Sequence, residues 1–494
     1  MEEKKPKEGR EAGAVCLPEG KRPGRLDRFF GVSASGSTVK TELFAGLITF
    51  VTMVYILVVN ADLFTDVGGS GLTFGAAYIF TALGAVIGTL LMAFLARMPI
   101  AQATGMGPNA FFVVTVCGTL GYTYANGLLI VLCSGLLFLI LTVVGARQAI
   151  VRAMPKAVQT AIPVGIGLFI AFVGMQNAGL IAADPSTKVT LVSFNILSGQ
   201  TEAAVMIGAA VGLLSLICIG VLAGRKVKGA IPIGIALSTL AYYAFIGLGC
   251  AAGDASCRAV FDGITLSDPF QAFADFGTQA FGKVFTEGWQ GLSSGRIFEF
   301  LAVMISFAMV DMFDTIGTLI GTCRGAGKES GLLDERGEIK NLNRALLSDS
   351  VATCTGAILG TSTVTSFLES SAGVAAGGRT GLTSLTVAVL FLVALFFSPL
   401  AALIPSAATA GALIYVGVLM MGRITEIDWK NPAEAIPPFL TVAMMSFTYS
   451  ISYGIAAGFL SYTAIKLFTG KVREIHPVTA VLSVLFLFTF LFTH

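Results

Sequence analysis

Two short stretches, Gln102-Ala-Thr-Gly-Met-Gly-Pro-Asn109 and Thr361-Ser-Thr-Val-Thr-Ser-Phe-Leu-Glu-Ser-Ser-Ala-Gly373, interrupt otherwise apolar sequence. Gly and Pro at the density of the first break a helix and free backbone N–H and C=O groups. The β-branched, hydroxyl-rich start of the second suits a short extended piece, and its Ala- and Gly-rich remainder suits a half-helix. At membrane depth such backbone is tolerated only inside protein or along a water-filled cavity. Helix ends near the membrane surface offer a simpler explanation, but the two stretches occupy corresponding places in the chain.

Outward from the first stretch, apolar segments run at 42–63, 74–96, 100–117, 124–145, 157–181, 202–223 and 228–250. A polar stretch covers 251–296, and a second series runs 297–322, 343–360, 361–378, 382–403, 406–422, 436–450 and 451–468. Composition agrees with a membrane protein: the 494 residues are 55% hydrophobic and 12% charged, about half the charge of a soluble domain. Soluble, disordered and nucleic-acid-binding classes are thereby excluded. The expected fold is an all-α polytopic membrane protein of 14 transmembrane segments, with short extended pieces in segments 3 and 10.

Charge sets the orientation. Residues 1–40 carry nine Lys/Arg and six acids and read as a cytoplasmic N-terminal tail, since a signal peptide needs an apolar core. With that end inside, 27 of the 31 Lys and Arg face the cytoplasm, among them Arg147, Arg152, Lys156, Arg225, Lys226, Lys228 and five in 323–344. Lys188, Arg258, Lys283 and Arg296 fall outside. Lys466, Lys471 and Arg473 also fall inside, which requires 436–468 to be two short spans. A further apolar run, 475–493, either crosses once more or lies in the interface. The localisation expected is the plasma or inner membrane.

A shift of 257 residues superposes Glu42-Leu-Phe-Ala-Gly-Leu-Ile-Thr-Phe50 on Glu299-Phe-Leu-Ala-Val-Met-Ile-Ser-Phe307. A shift near 250 brings Pro155 and its Ala/Gly-rich sequel onto Pro405 and its own. Seven segments on each side of a long loop make a duplicated arrangement, 41–250 and 297–470, joined by an extracytoplasmic loop at 251–296 and followed by 471–494. Seven is odd, so the halves are inverted. Inverted repeats belong to secondary transporters, whose sites lie near the midplane on interrupted helices.

Acids inside apolar segments are expensive and mark proton relays or binding sites. Asp311 and Asp314 lie one helical turn apart in mid-segment, and Glu369 lies in the second broken stretch. All three are proton-coupling candidates, although Asp314 equally suits a structural hydrogen bond. Glu42 and Glu299 begin their segments and read as interfacial; Asp349 and Arg379 lie near segment ends, Arg379 as a cytoplasmic anchor.

Half-helix N-termini supply N–H donors, ionised carboxylates accept, and Asn109 does both. A neutral, planar molecule with N–H donors beside carbonyl acceptors fits, and a nucleobase is such a molecule. Phe307 or Phe111 would cover its faces, while Gly107 and Ser370 lie in the broken stretches beside the polar groups. The coupling ion is a proton, with sodium the alternative; no other cofactor and no metal is expected, and two histidines cannot build a zinc site. The eight cysteines form no CxxC pair. Cys250 and Cys257 lie near one loop, with nothing further to support a bridge.

The run Gly360-Thr-Ser-Thr-Val-Thr-Ser-Phe-Leu-Glu-Ser-Ser-Ala-Gly-Val-Ala-Ala-Gly-Gly-Arg-Thr-Gly-Leu-Thr383 resembles the signature of AzgA-like purine permeases, the adenine/guanine/hypoxanthine branch of the nucleobase:cation symporter-2 family. Val310-Asp-Met-Phe-Asp-Thr-Ile-Gly-Thr-Leu319, Gly105-Met-Gly-Pro-Asn-Ala-Phe-Phe112 and Phe396-Phe-Ser-Pro-Leu400 are similar to other blocks of that branch, and the likeness runs from about Leu26 to the C-terminus. The resemblance implies a core domain (42–145 and 297–403) and a gate domain (157–250 and 406–468). It places Asn109, Asp311 and Glu369 on substrate-site positions of segments 3, 8 and 10. It implies uptake of a purine base with a proton, by a transporter rather than an enzyme. The partners expected are the purine, the lipid bilayer and a second copy of the chain as a homodimer. Xanthine, uracil or another solute on the same fold is the nearest alternative, and an intramembrane enzyme built on Asp311 and Asp314 a remote one.

Overall fold

The computed structural model describes residues 24–145, 154–184, 187–194, 201–262, 268–292, 296–326, 330–335 and 337–492. Residues 1–23 of the tail, with Cys16, lie outside the described residues, as do Arg147, Arg152, Lys328 and Arg336.

The first half comprises helices α1 (Val39–Met53), α2 (Ile56–Phe64), α3 (Phe74–Leu91), α4 (Met106–Ala110), α5 (Tyr124–Val143), α6 (Lys156–Asn177), α7 (Ala203–Gly224) and α8 (Ala230–Ala251). The second comprises α9 (Ile297–Gly325), α10 (Leu342–Leu359), α11 (Ser370–Ala375), α12 (Gly381–Ala394), α13 (Ser406–Met421), α14 (Pro432–Phe447), α15 (Ile451–Phe468) and α16 (Pro477–Phe492). Helix starts follow local chemistry. Thr123 and Asn126 form a capping box before α5, Thr380 and Ser450 cap α12 and α15, and Pro432 opens α14 behind its Asn431 cap.

Nine helices among the described residues are long and apolar enough to cross a membrane. Others fall short on length or polarity: α14 has 16 residues, α9 carries Glu299, Asp311 and Asp314, and α10 carries Asp349 among hydroxyl residues. Residues 436–468 divide as expected, into α14 and α15, which pack against each other across a turn where Tyr449 has φ 55°.

The two broken stretches meet. Strand β1 (Gln102–Thr104) pairs antiparallel with β4 (Val364–Ser366), in the register Gln102 to Ser366 and Thr104 to Val364. The ladder extends through Gly105 N–H to Thr363 O and Phe367 N–H to Ala101 O, both 3.0 Å. Each strand then enters a short helix, α4 or α11. The pair answers the backbone problem of a broken segment, since each strand satisfies the other's freed groups. Close approach to the neighbouring helices depends on glycine: a Cβ on Gly88 of α3 would lie 2.7 Å from Val364 Cγ1, and one on Gly356 of α10 would lie 2.8 Å from Val364 Cγ2.

Some expectations change. The 251–296 stretch is no plain loop: it forms helices at Ala255–Asp262, Pro269–Asp275 and Lys283–Thr286. Thr73 binds this stretch, its N–H donating to Gln279 and its hydroxyl to Asp275, each at 3.0 Å. A second hairpin, β2 (Ile181–Asp184) with β3 (Lys188–Leu191), adds to the expected plan; it follows from the β-branched residues at 189 and 190 beyond α6. Near the N-terminus, the Asp27 carboxylate accepts the Ser33 amide and hydroxyl at 2.8 and 2.6 Å, which holds it below the ordinary carboxylate range.

Glu42 and Asp349 are fully buried, and Glu299 is 5% exposed, so none of the three faces water. Glu42 accepts the N–H groups of Arg379 and Thr380 (2.9 and 3.2 Å) and the Thr383 hydroxyl (2.6 Å), an anion at the start of α12. The Arg379 guanidinium donates to Val374 O and Gly378 O. Glu299 pairs with Arg296 at 2.5 Å, and that guanidinium also covers the Tyr122 ring. Cys250 and Cys257 are free thiols. Helix α16 packs on α15 and α9, with the Ser483 and Thr463 hydroxyls 2.7 Å apart.

Candidate substrate site

The interrupted helices and α9 bring the acids of the second half together with polar groups of the first. Asp311 is fully buried, and its Oδ2 accepts the Thr353 hydroxyl of α10 at 3.2 Å. One turn later, Asp314 Oδ2 accepts the Thr365 hydroxyl of β4 at 3.3 Å. Asp349 Oδ1 accepts the Thr315 hydroxyl and, at 3.4 Å, the Gln102 amide of β1. Gln102 in turn accepts the Ser348 hydroxyl and donates to Ser366, each at 3.4 Å. These partners are hydroxyls and amides, which satisfy a carboxylate without neutralising it.

Glu369 ends the extended piece and starts α11. It is partly exposed, and its Oε1 accepts the Tyr55 hydroxyl at 2.7 Å. Its Oε2 accepts no side-chain hydrogen bond among the described residues. Ser370, next in sequence, ties α11 back to the first stretch, accepting the Ala101 N–H at 3.0 Å.

Asn109 is also fully buried, but its amide is engaged by the protein. It donates to Asn60 Oδ1 and accepts the Ser362 hydroxyl. Asn60 passes the chain on to Thr81 (2.6 Å), which donates to Ala77 O (2.7 Å). This relay joins the second stretch, α4, α2 and α3. Phe307 packs on Phe111 with ring centroids 4.6 Å apart, and both are fully buried. Gly107 marks contact with α6, since a Cβ there would lie 2.7 Å from Ile166 Cγ2.

The sequence-predicted residues therefore divide. Asp311, Asp314, Glu369 and Ser370 gather where α9 and α10 meet the strand pair; Asn109 and Gly107 bind α4 to its neighbours; Phe307 belongs to an aromatic cluster. Sequence reasoning misses Tyr55, Asn60 and the roles of Asp349 and Gln102. Tyr55 sits at a turn, Val54–Tyr55, that no Gly or Pro announces. Asp349 lies close to the start of its segment, which hides its role, although an acid among Ser and Thr is a signal. Asp62 escapes sequence reasoning as well: it lines a separate cavity of about 580 Å³ with Tyr242, Tyr243, Asp275 and Pro405, and accepts the Thr409 hydroxyl at 3.3 Å. That cavity lies two helical turns along α2 from Tyr55.

Comparison with known proteins agrees with this architecture. The pattern of the xanthine/uracil permease family, described as a permease family, matches residues 40–457. The guanine/hypoxanthine permease PbuO of Bacillus subtilis is 42% identical over 92% of this chain and 98% of its own. The adenine permease AdeP of Escherichia coli is 36% identical over 95% of this chain and 96% of its own. Among solved structures, the transmembrane domain of a cyanobacterial bicarbonate transporter, BicA, shares the fold with a TM-score of 0.56 at 17% identity, over 85% of this chain and 97% of that one. The resemblance carried by Gly360–Thr383 is borne out, and the protein is a multi-pass membrane transporter, not an enzyme. The chain belongs to the xanthine/uracil permease family.

Proposed function

We propose that the protein takes up purine nucleobases (guanine, hypoxanthine or adenine) with a proton, by alternating access. The observation that carries this reading is Glu369, a partly exposed carboxylate in a broken segment, held on one oxygen by Tyr55 and reached by no basic side chain among the ion pairs of the described residues. A carboxylate bonded by one hydroxyl keeps acceptor capacity for N–H donors from the edge of a neutral base. The names of the relatives, guanine/hypoxanthine and adenine permeases, support the purine class. In this proposal Glu369 and Asp311 receive the base, while Asn109, Ser370 and Gly107 shape the broken segments around it. Phe307, with Phe111, supplies the aromatic wall. Asp311, Asp314 and Glu369 are the candidates for the coupling proton, and Asp349 joins them by position.

The proposal includes fourteen spans in two inverted sevens, the N-terminus in the cytoplasm, a homodimer, and motion of a core domain against a gate. Two facts support the division. Helices α6, α7, α13 and α14 pack among themselves, as do α1, α3, α10 and α12. The equivalent pairing of β1 with β4 is what an inverted repeat produces.

The test is uptake of radiolabelled adenine, guanine, hypoxanthine, xanthine and uracil by cells lacking their own carriers, with and without a protonophore. Purine uptake abolished by the protonophore is the expected result. Uracil or xanthine uptake alone moves the reading to the other branch, and protonophore-resistant, sodium-dependent uptake replaces the coupling ion.

A further inference from the structure

We infer that three hydrogen bonds, Asp62 to Thr409, Thr115 to Tyr449 and Ser306 to Ser452, form a latch that seals the site from the face carrying residues 251–296. The latch must part for a base to enter or leave on that face. The inference rests on the purine-transport reading and adds the residues that control access to the same site.

Each bond runs from a helix of the proposed core to one of the proposed gate. The Thr409 hydroxyl of α13 reaches Asp62 Oδ2 of α2 at 3.3 Å. The Thr115 hydroxyl of segment 3 donates to Tyr449 O, in the turn between α14 and α15, at 2.7 Å. The Ser306 hydroxyl of α9 meets that of Ser452 on α15 at 2.9 Å. All four hydroxyl residues are buried. Tyr449 presents its carbonyl to Thr115 from φ 55°, a conformation that few residues other than glycine adopt and that the surroundings must hold in place. The rings of Phe169 and Phe172 pack on the Tyr449 ring, with centroids 6.0 and 5.3 Å away.

The three bonds lie on one side of the acids. Segment 251–296 touches the same end of all three core helices: α2 leads to Thr73, which binds Gln279 and Asp275, α9 starts at Ile297, and segment 3 ends near Leu120, whose carbonyl accepts Arg296 at 2.6 Å. On each helix the latch residue stands nearer that end than the site residue: Asp62 against Tyr55, Ser306 against Asp311, and Thr115 against Asn109. The separation is about one and a half to two helical turns each time, so the bonds form a layer between the acids and that face.

Contacts inside each body are of another kind. Within the gate, a Cβ on Gly167 of α6 would lie 2.6 Å from Gly417 O of α13. Within the core, a Cβ on Gly373 of α11 would lie 2.7 Å from Ala45 O of α1. Helices so close backbone to backbone move together, since packed elements do not deform continuously. Neutral hydroxyl bonds exchange with water at a small net cost, which suits a contact that opens and closes.

The experiment combines Ser306→Cys with Ser452→Cys and joins the two thiols with an oxidant or, across a wider gap, with mercuric ion. Uptake of labelled hypoxanthine should fall about tenfold or more on cross-linking and return to within about twofold on reduction or removal of mercury, while each single variant treated alike keeps its rate. Purified cross-linked protein should bind hypoxanthine within about threefold of the reduced form, because only the motion is blocked. Undiminished uptake by the cross-linked protein overturns the latch, since α9 and α15 would then move as one. Loss of binding on cross-linking also overturns it, by placing the damage at the site. Failure of both reagents to join the pair overturns it as well, since the two side chains then do not meet. Asp62→Cys with Thr409→Cys carries the same outcomes where the first pair does not reach the membrane. Uptake of no purine by the untreated wild type overturns the transport reading itself, whereas undiminished uptake by the cross-linked variant overturns the latch alone.

Discussion

The two broken segments use one backbone device for different ends. Around 102–109 the strand leads into α4, and the polar side chain at its end, Asn109, is bonded on both sides by Asn60 and Ser362. Around 361–373 the strand leads into α11, and the polar side chain there, Glu369, stays partly exposed with one oxygen held by Tyr55. The first segment anchors and the second presents an acceptor. Strand pairing makes this division workable: the Asn109–Ser362 contact ties the two segments together beside the strand pair, so the carboxylate is positioned without being enclosed.

Substitutions in each segment separate the two roles. The largest effect is expected at Glu369→Gln, which exchanges a charge-assisted acceptor for an amide; purine uptake should fall by about thirtyfold or more at normal membrane levels. Uptake near the wild-type rate removes Glu369 from the presenting role. Next is Asn60→Ala, which cuts the relay and leaves Asn109 and Thr81 short of a partner in a buried setting. Thermal unfolding of the purified protein should show a loss of up to about 3 kcal/mol, and an unchanged melting temperature would mean that the relay anchors nothing. Gly88→Ala tests the seat of the strand pair. The added methyl must displace Val364, at about 1 kcal/mol if that side chain gives way, again read from the melting temperature. Smallest is Thr365→Val, which removes the 3.3 Å bond to Asp314; about 1 kcal/mol or less of stability and a few-fold change in uptake are expected, checked by the same two assays.

Much of this organisation is legible in the sequence, for definite reasons. Gly and Pro at 105–108 and β-branched residues at 361–365 disfavour an uninterrupted helix, so both interruptions can be read directly. Asp311 and Glu369 stand out because an acid in an apolar segment has few bland explanations. The partners of these groups are less accessible. Tyr55 reaches Glu369 across 314 positions, and the turn it sits in between α1 and α2 is marked by no helix breaker. Asn60 and Gln102 are ordinary polar residues until a fold juxtaposes them with Asn109 and Asp349. Glu42 illustrates the converse: its place at a helix start suggests a membrane interface, but its partners, Arg379, Thr380 and Thr383, arrive from the other half of the chain and bury it.

The division between an anchoring and a presenting segment is best probed by equilibrium binding of hypoxanthine to purified wild-type, Glu369→Gln and Asn60→Ala proteins, with the melting temperature of each recorded. If the second broken segment presents the acceptor and the first anchors it, Glu369→Gln loses binding at an unchanged melting temperature. Asn60→Ala then melts earlier while keeping its affinity within about threefold, since its lost hydrogen bonds belong to the fold rather than to the ligand. Wild-type affinity in Glu369→Gln, or lost binding in Asn60→Ala at an unchanged melting temperature, would contradict it.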